Sequence, residues 1–113
     1  MDILEIKSNL LVIYMKEKYF YDPKHGGCLR ILTRVDDNKS IIKGAYGNDE
    51  KEKGHWFAEV THFTEKTFGT HKYNMKVNFK NKKGLTHKPI YNAYMKNREV
   101  KWEDGNVWKE LYA

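Results

Sequence analysis

Tyr73-Asn74-Met75-Lys76-Val77-Asn78-Phe79-Lys80 alternates apolar and polar side chains without a break. Successive residues of an extended chain point to opposite faces. Tyr73, Met75, Val77 and Phe79 therefore share one side, and Asn74, Lys76, Asn78 and Lys80 the other. Such a strand hides its rings and shows ammonium groups to water. It predicts a half-buried sheet with a basic outer surface.

The same pattern extends in both directions. Asn81-Lys82-Lys83-Gly84 reads as a turn, and Pro89 excludes a central-strand position beside it. Residues 90–95 and 99–102 pair around a tight Lys96-Asn97 turn. Glu103-Asp104-Gly105 then closes a last hairpin. A three-residue loop with Gly105 in the left-handed bulge position sets Val100, Trp102 and Trp108 on one face, whereas a two-residue Asp-Gly turn would separate the two indoles. The first is expected because it buries both rings together.

Toward the N-terminus, residues 55–63 form a strand with Trp56, Ala58 and Val60 inward, and residues 67–71, around Gly69, connect it to the basic strand. Residues 28–35 and 40–47 pair around Asp36-Asp37-Asn38-Lys39, whose Asp and Asn side chains bond their own backbone. In the first of these strands Leu29, Ile31 and Val35 are expected on one side, with Arg30 and Arg34 on the other. Residues 48–54 form a solvated loop. Residues 1–27 admit two readings. Ser8 or Asn9 could cap a helix running to Tyr19, yet residues 10–15, Leu-Leu-Val-Ile-Tyr-Met, favour a strand. An added strand is expected, with a short helix across one end of the sheet as the alternative.

Together these elements predict a single all-β domain over residues 1–113. Residues 28–113 would make an antiparallel meander of about seven short strands, as a small barrel or a strongly curved sheet. An open sheet would leave edges for a homodimer to pair. A chain of 113 residues has room for one modest core. Its aromatic content of 14% is too high for a disordered tail. The apolar run at 10–15 falls far short of the roughly 20 residues that span a bilayer. Without a leader pattern, and with Cys28 as the only cysteine, a cytoplasmic protein with no membrane partner is expected.

Charge is the strongest functional signal. Between Lys66 and Arg98 lie nine Lys or Arg residues and no Asp or Glu, while the whole chain has a net charge of only +6. The rest of the chain is thus slightly acidic, and the concentrated block makes a local field that favours a polyanion. Lys72, Lys76, Lys80, Lys82, Lys83 and Lys88 are the expected contacts, with Arg30 and Arg34. Asn74 and Asn78 would donate to phosphates, and interleaved Tyr rings would stack on bases. An ordinary solubilising surface is the plain alternative, though such surfaces mix signs.

Other chemistry is thinly represented. His25, His55, His62, His71 and His87 lack the short spacing of a zinc site, and His25-x-x-Cys28 is an isolated pair. Cys28 opens an apolar strand, where a thiol packs as a small hydrophobe. Asp36, Asp37, Glu103 and Asp104 fall in turns, and no glycine cluster joins a strand to a helix as a phosphate loop. No catalytic residue, metal or cofactor is expected. Trp56, Trp102 and Trp108 would make core, or, if the strands close, line an enclosed pocket of Trp and Met for a small apolar ligand.

The run Val100-Lys101-Trp102-Glu103-Asp104-Gly105-Asn106-Val107-Trp108-Lys109, with the Lys-, Asn- and Tyr-rich composition, resembles small uncharacterised basic proteins of large nucleocytoplasmic DNA viruses. The resemblance covers about a tenth of the chain. It implies a virion or virus-factory protein made in host cytoplasm and brings no catalytic residue with it.

The sequence thus leads to a non-enzymatic, largely sequence-independent nucleic-acid or polyanion binder. A structural or protein–protein module, self-associating through sheet edges or aromatic surface, is the alternative.

Overall fold

The computed structural model describes residues 16–85 and 88–111, and among these residues the chain is all-β. Eight strands follow one another in space as in sequence: β1 Glu17–Tyr21, β2 Leu29–Asp36, β3 Lys39–Ala45, β4 His55–Phe68, β5 His71–Asn78, β6 Ile90–Lys96, β7 Glu99–Trp102 and β8 Val107–Glu110. Every neighbouring pair is antiparallel. The first and last strands join through Phe20↔Glu110 and Tyr21↔Lys109, so the meander closes into a barrel. Closure removes the free edges that a homodimer was expected to pair. No helix among the described residues is long and apolar enough to cross a membrane.

The eighth strand is β1, from the segment with two readings. Its Tyr19-Phe20-Tyr21 run suits a pleated surface, and it pairs with β2 at five positions, Glu17↔Thr33 to Tyr21↔Leu29. A helix running to Tyr19 is therefore excluded over Glu17–Tyr21. Ser8, Asn9 and residues 10–15 lie outside the described residues.

β4 is also longer than expected. The connection read at 67–71 shrinks to Gly69-Thr70, with Gly69 at φ +63°, where a side chain would be strained. A bulge between His62 and Lys66 interrupts the pairing with β5. Beyond it the pairs Lys66↔Tyr73, Thr67↔Lys72 and Phe68↔His71 form an arm that continues past the last β3–β4 pair, Lys39↔Thr61.

The last hairpin closes through a three-residue loop. The Trp102 N–H donates to the Asn106 carbonyl at 2.8 Å, and the Gly105 N–H to the Trp102 carbonyl at 3.0 Å. Trp102 and Trp108 both turn inward, with ring centroids 4.6 Å apart.

Inside the barrel, Leu32, Ile42, Ala58, Val60, Met75, Val77, Ala93 and Val100 pack as a buried core. Burying them drives closure, because each strand has one apolar face to hide. β2 reverses its expected orientation. Leu29 and Val35 are exposed (43% and 51%), whereas Arg30 is buried at 1% on the same side as Leu32. The expected outward position of Arg30 is thus corrected: register with the core is set by Leu32, and the guanidinium is accommodated by partners described below.

The two ends of the barrel differ in their connections. Two-residue turns at 37–38, 69–70 and 97–98 join β2–β3, β4–β5 and β6–β7 at one end. The other end carries longer connections at 22–28, 46–54 and 79–89, with the tight 103–106 loop.

Candidate functional site

At the long-loop end nearly every strand contributes an aromatic ring. Trp56 meets Phe79 at 5.6 Å between centroids, Phe79 meets Trp102 at 5.6 Å and Tyr91 at 6.0 Å, and Phe20 lies 6.4 Å from Trp108. β2 and β3 supply Arg30 and Gly44 instead. The register aligns Arg30, Gly44 and Trp56 in one row across three strands. A Cβ on Gly44 would lie 2.2 Å from Cζ2 of Trp56, so the indole rests directly on the glycine backbone. That bare backbone lets the ring reach the guanidinium two strands away, with Arg30 Cζ 5.0 Å from the Trp56 centroid and 6.0 Å from that of Trp108.

A buried arginine needs compensation. Its Nη2 lies 3.3 Å from Asp22 Oδ2, in a pair with both side chains 1% exposed. Nη1 donates to the Leu29 carbonyl and Nη2 to the Gly26 carbonyl, each at 3.1 Å. Asp22 is itself held by the Lys24 N–H, by Asn106 Nδ2 at 3.0 Å and by His25 Nδ1 at 2.9 Å. Burial alone would push this carboxyl up, but the hydrogen bonds from His25, Asn106 and Lys24 outweigh it and hold the group down at about 2. Asp22 is therefore an anion at neutral pH.

Above this polar floor opens a cavity of about 460 Å³, exposed to solvent on one side. Its walls are Trp56, Phe79, Tyr91, Trp102 and Trp108, and Lys82 and Lys83 reach it from the 79–89 connection. The expected lining of Trp and Met is realised only in its tryptophans; Met75 and Met95 do not line it. Five buried side-chain atoms have no hydrogen-bond partner among the described residues, and all five belong to cavity-lining residues. They are Arg30 Nε, the indole Nε1 of Trp56, Trp102 and Trp108, and Asn106 Oδ1. Four donate and one accepts.

The residues expected to bind a polyanion do not all share one surface: Lys72, Lys76 and Lys80 are exposed at matching positions along and just past β5, and others turn away from them. Lys82 turns inward, with Nζ 4.9 Å from the Trp56 centroid. Burial lowers its pKa, and Arg30 lowers it further. Arg34 is half-buried, and its guanidinium donates to the Asp36 and Asp37 carbonyls of its own turn. Asn74 exchanges two hydrogen bonds with the Met95 backbone, and Asn78 Oδ1 accepts the Lys80 N–H. Both amides thus serve the sheet. The expectation that nothing cancels the lysines fails at three positions: Lys72 lies 3.3 Å from Glu65, Lys80 4.0 Å from Glu59, and Lys88 2.8 Å from Glu103. Glu59 and Glu65 lie on β4 and Glu103 in the last hairpin loop, outside the acid-free stretch of sequence. Lys76 and Lys83 are exposed, and the Lys83 backbone N–H donates to the Tyr46 hydroxyl at 2.8 Å.

Cys28 is exposed at φ +49°, contrary to the packed thiol expected, because the chain turns sharply there to enter β2. Among the described residues no group of three His, Cys, Asp or Glu side chains could hold a metal ion. Compared with known protein families, curated proteins and solved structures, the chain matches none.

Proposed function

We propose that this protein is a non-enzymatic binding barrel that takes a small, flat, partly polar ligand into its long-loop end. One observation carries the reading: the five unpartnered buried polar atoms all sit on the residues that line this cavity. An unsatisfied buried donor or acceptor destabilises a protein by about 1–3 kcal/mol, and native proteins keep few of them. Each is covered by its neighbours, and their concentration in one place fits an end of the barrel whose side chains turn to complete these bonds when a guest enters. The volume falls within the usual range of small-molecule sites, and the aromatic walls suit a flat body.

All three tryptophans of the chain line the cavity, so three indole N–H signals report on it. A library of aromatic fragments titrated into isotope-labelled protein should shift those three signals together. If none of the fragments moves them, or if shifts map to the outer surface instead, the proposal is wrong.

A second reading rests on the β4–β5 arm. Phe68, Tyr73 and His71 make ring contacts at 6.0 and 6.4 Å on the face of the arm that also carries Lys66, while Lys72 and Lys76 line its other face. Rings beside cations provide a stacking platform for single-stranded nucleic acid. Mobility shifts of an oligonucleotide should then weaken with salt at a log–log slope of about −0.7 per phosphate neutralised. Lys66→Glu with Lys76→Glu should abolish them. Binding that ignores both salt and these substitutions would remove this reading.

A further inference from the structure

Resting on the cavity reading, we infer that the ligand is a small aromatic or heteroaromatic acid whose anionic group is received by Lys82 beside the Trp56 ring. Two cations converge on one ring here: Arg30 Cζ at 5.0 Å and Lys82 Nζ at 4.9 Å from the Trp56 centroid. Like charges sharing an indole repel, and the ring's quadrupole offsets only part of that. Asp22 answers the guanidinium at 3.3 Å, but no carboxylate among the described residues lies within 4.0 Å of Lys82 Nζ. Glu50, Glu52 and Asp104 also line the cavity, each beyond 4.0 Å from Lys82 Nζ. Asp104 accepts the Asn106 N–H, and Glu50 acts on Lys82 only from beyond ion-pair distance. Lys82 Nζ is thus the cation of this cavity that sits on an aromatic ring without a direct ion pair.

The unpartnered atoms point the same way. Four of the five unpartnered atoms on the lining residues are donors, each covered by its neighbours, so a ligand meets them only where the rings turn toward it. A carboxylate, with acceptors only, is a group they would then receive. The aromatic belt supplies flat walls for the rest of the molecule, and an acid on a flat ring satisfies both demands. A flat amine would add a third cation beside Arg30 and Lys82.

Three naphthalene derivatives of similar size separate charge from shape: naphthylacetate, naphthylacetamide and naphthylethylamine. Each is titrated by calorimetry and by the indole N–H signals, against the parent and Lys82→Gln. Lys82 lies on a loop, and preserved dispersion of the indole signals shows that the variant is folded. In the parent the acid should bind at least about tenfold tighter than the amide, the scale of a charge-assisted hydrogen bond, and the amine should bind weakest. In Lys82→Gln the preference for the acid should fall below about threefold. If amide or amine binds as well as the acid, or if the preference survives the substitution, the acid assignment is overturned while the cavity reading stands. The acid assignment is likewise overturned if the trio is silent but other fragments move the indoles. If nothing moves them, both fall.

Discussion

At one end of the barrel, two-residue turns hold the strands tightly and polar groups find partners within the protein. Ser40 and His62 share a hydrogen bond of 2.6 Å, and Arg34 is wrapped by the carbonyls of its own turn. At the other end, connections of up to eleven residues stand apart around a cavity, and every unpartnered buried polar atom found among the described residues gathers beneath them. The same eight strands run through both ends, so fold alone does not explain the difference. A closed end that satisfies itself fixes the barrel, and an open end with surplus donors is suited to a guest.

The comparison is broken most severely at the Asp22–Arg30 pair. Asp22→Ala leaves a guanidinium buried without its counter-charge and should destabilise the protein by about 3–5 kcal/mol in urea titrations. Replacing both partners with apolar residues, Asp22→Leu with Arg30→Met, should restore much of that loss. If Asp22→Ala costs under about 1 kcal/mol, the pair does not organise the open end. Acid tests the same group. Asp22 titrates near 2 in the folded protein against an ordinary 3.8, so its contribution is present above 3.8 and lost as pH falls toward 2. Urea midpoints of the parent should therefore drop over that window, and Asp22→Ala should flatten the drop.

A smaller break is available at Gly44. Its added methyl in Gly44→Ala would meet Trp56 at 2.2 Å, so the indole must leave the row that joins it to Arg30. Overpacking of this kind costs about 1–3 kcal/mol. Indole fluorescence should change, and naphthylacetate affinity should fall with it. A variant with parental stability and affinity would show that the contact between Trp56 and the bare backbone is dispensable.

The meander is legible in the sequence because its strands alternate and its turns carry Asp, Asn and Gly at the positions that need them. The paired indoles are legible because a three-residue loop around Gly105 buries both and a two-residue turn does not. β2 misleads, because an apolar count assigns its parity. Leu29, Ile31 and Val35 outvote Leu32, although Leu32 alone among them reaches the core. The available signal is Leu32 lying between two arginines, which only a compensated inner charge reconciles. Asp22, the compensating group, is bonded to Asn106 across the β1–β8 closure, 84 residues away in sequence, and is invisible locally. The acid-free stretch misleads for a related reason. Sheet neighbours come from other strands, and Glu59, Glu65 and Glu103 approach the lysines only after the chain folds.

The smallest effect belongs to the closed end. Ser40 is buried at 2% and its hydroxyl shares a hydrogen bond with His62 Nε2, so Ser40→Ala removes one bond and strands a ring nitrogen. The expected loss is about 1 kcal/mol at neutral pH, with ligand affinity unchanged because the cavity lies at the other end. Burial, with Arg34 and Lys18 nearby, depresses the His62 pKa to about 4 against an ordinary 6.5. The unfolded chain therefore takes up this proton first as pH falls, and stability should decline between about 6.5 and 4. His62→Gln should flatten that decline while leaving the steeper loss below 3.8, which belongs to Asp22. The two ends thus have separable acid signatures. A single transition unaffected by either His62→Gln or Asp22→Ala would mean that neither group governs the acid response, and the contrast between the ends would lose its electrostatic basis.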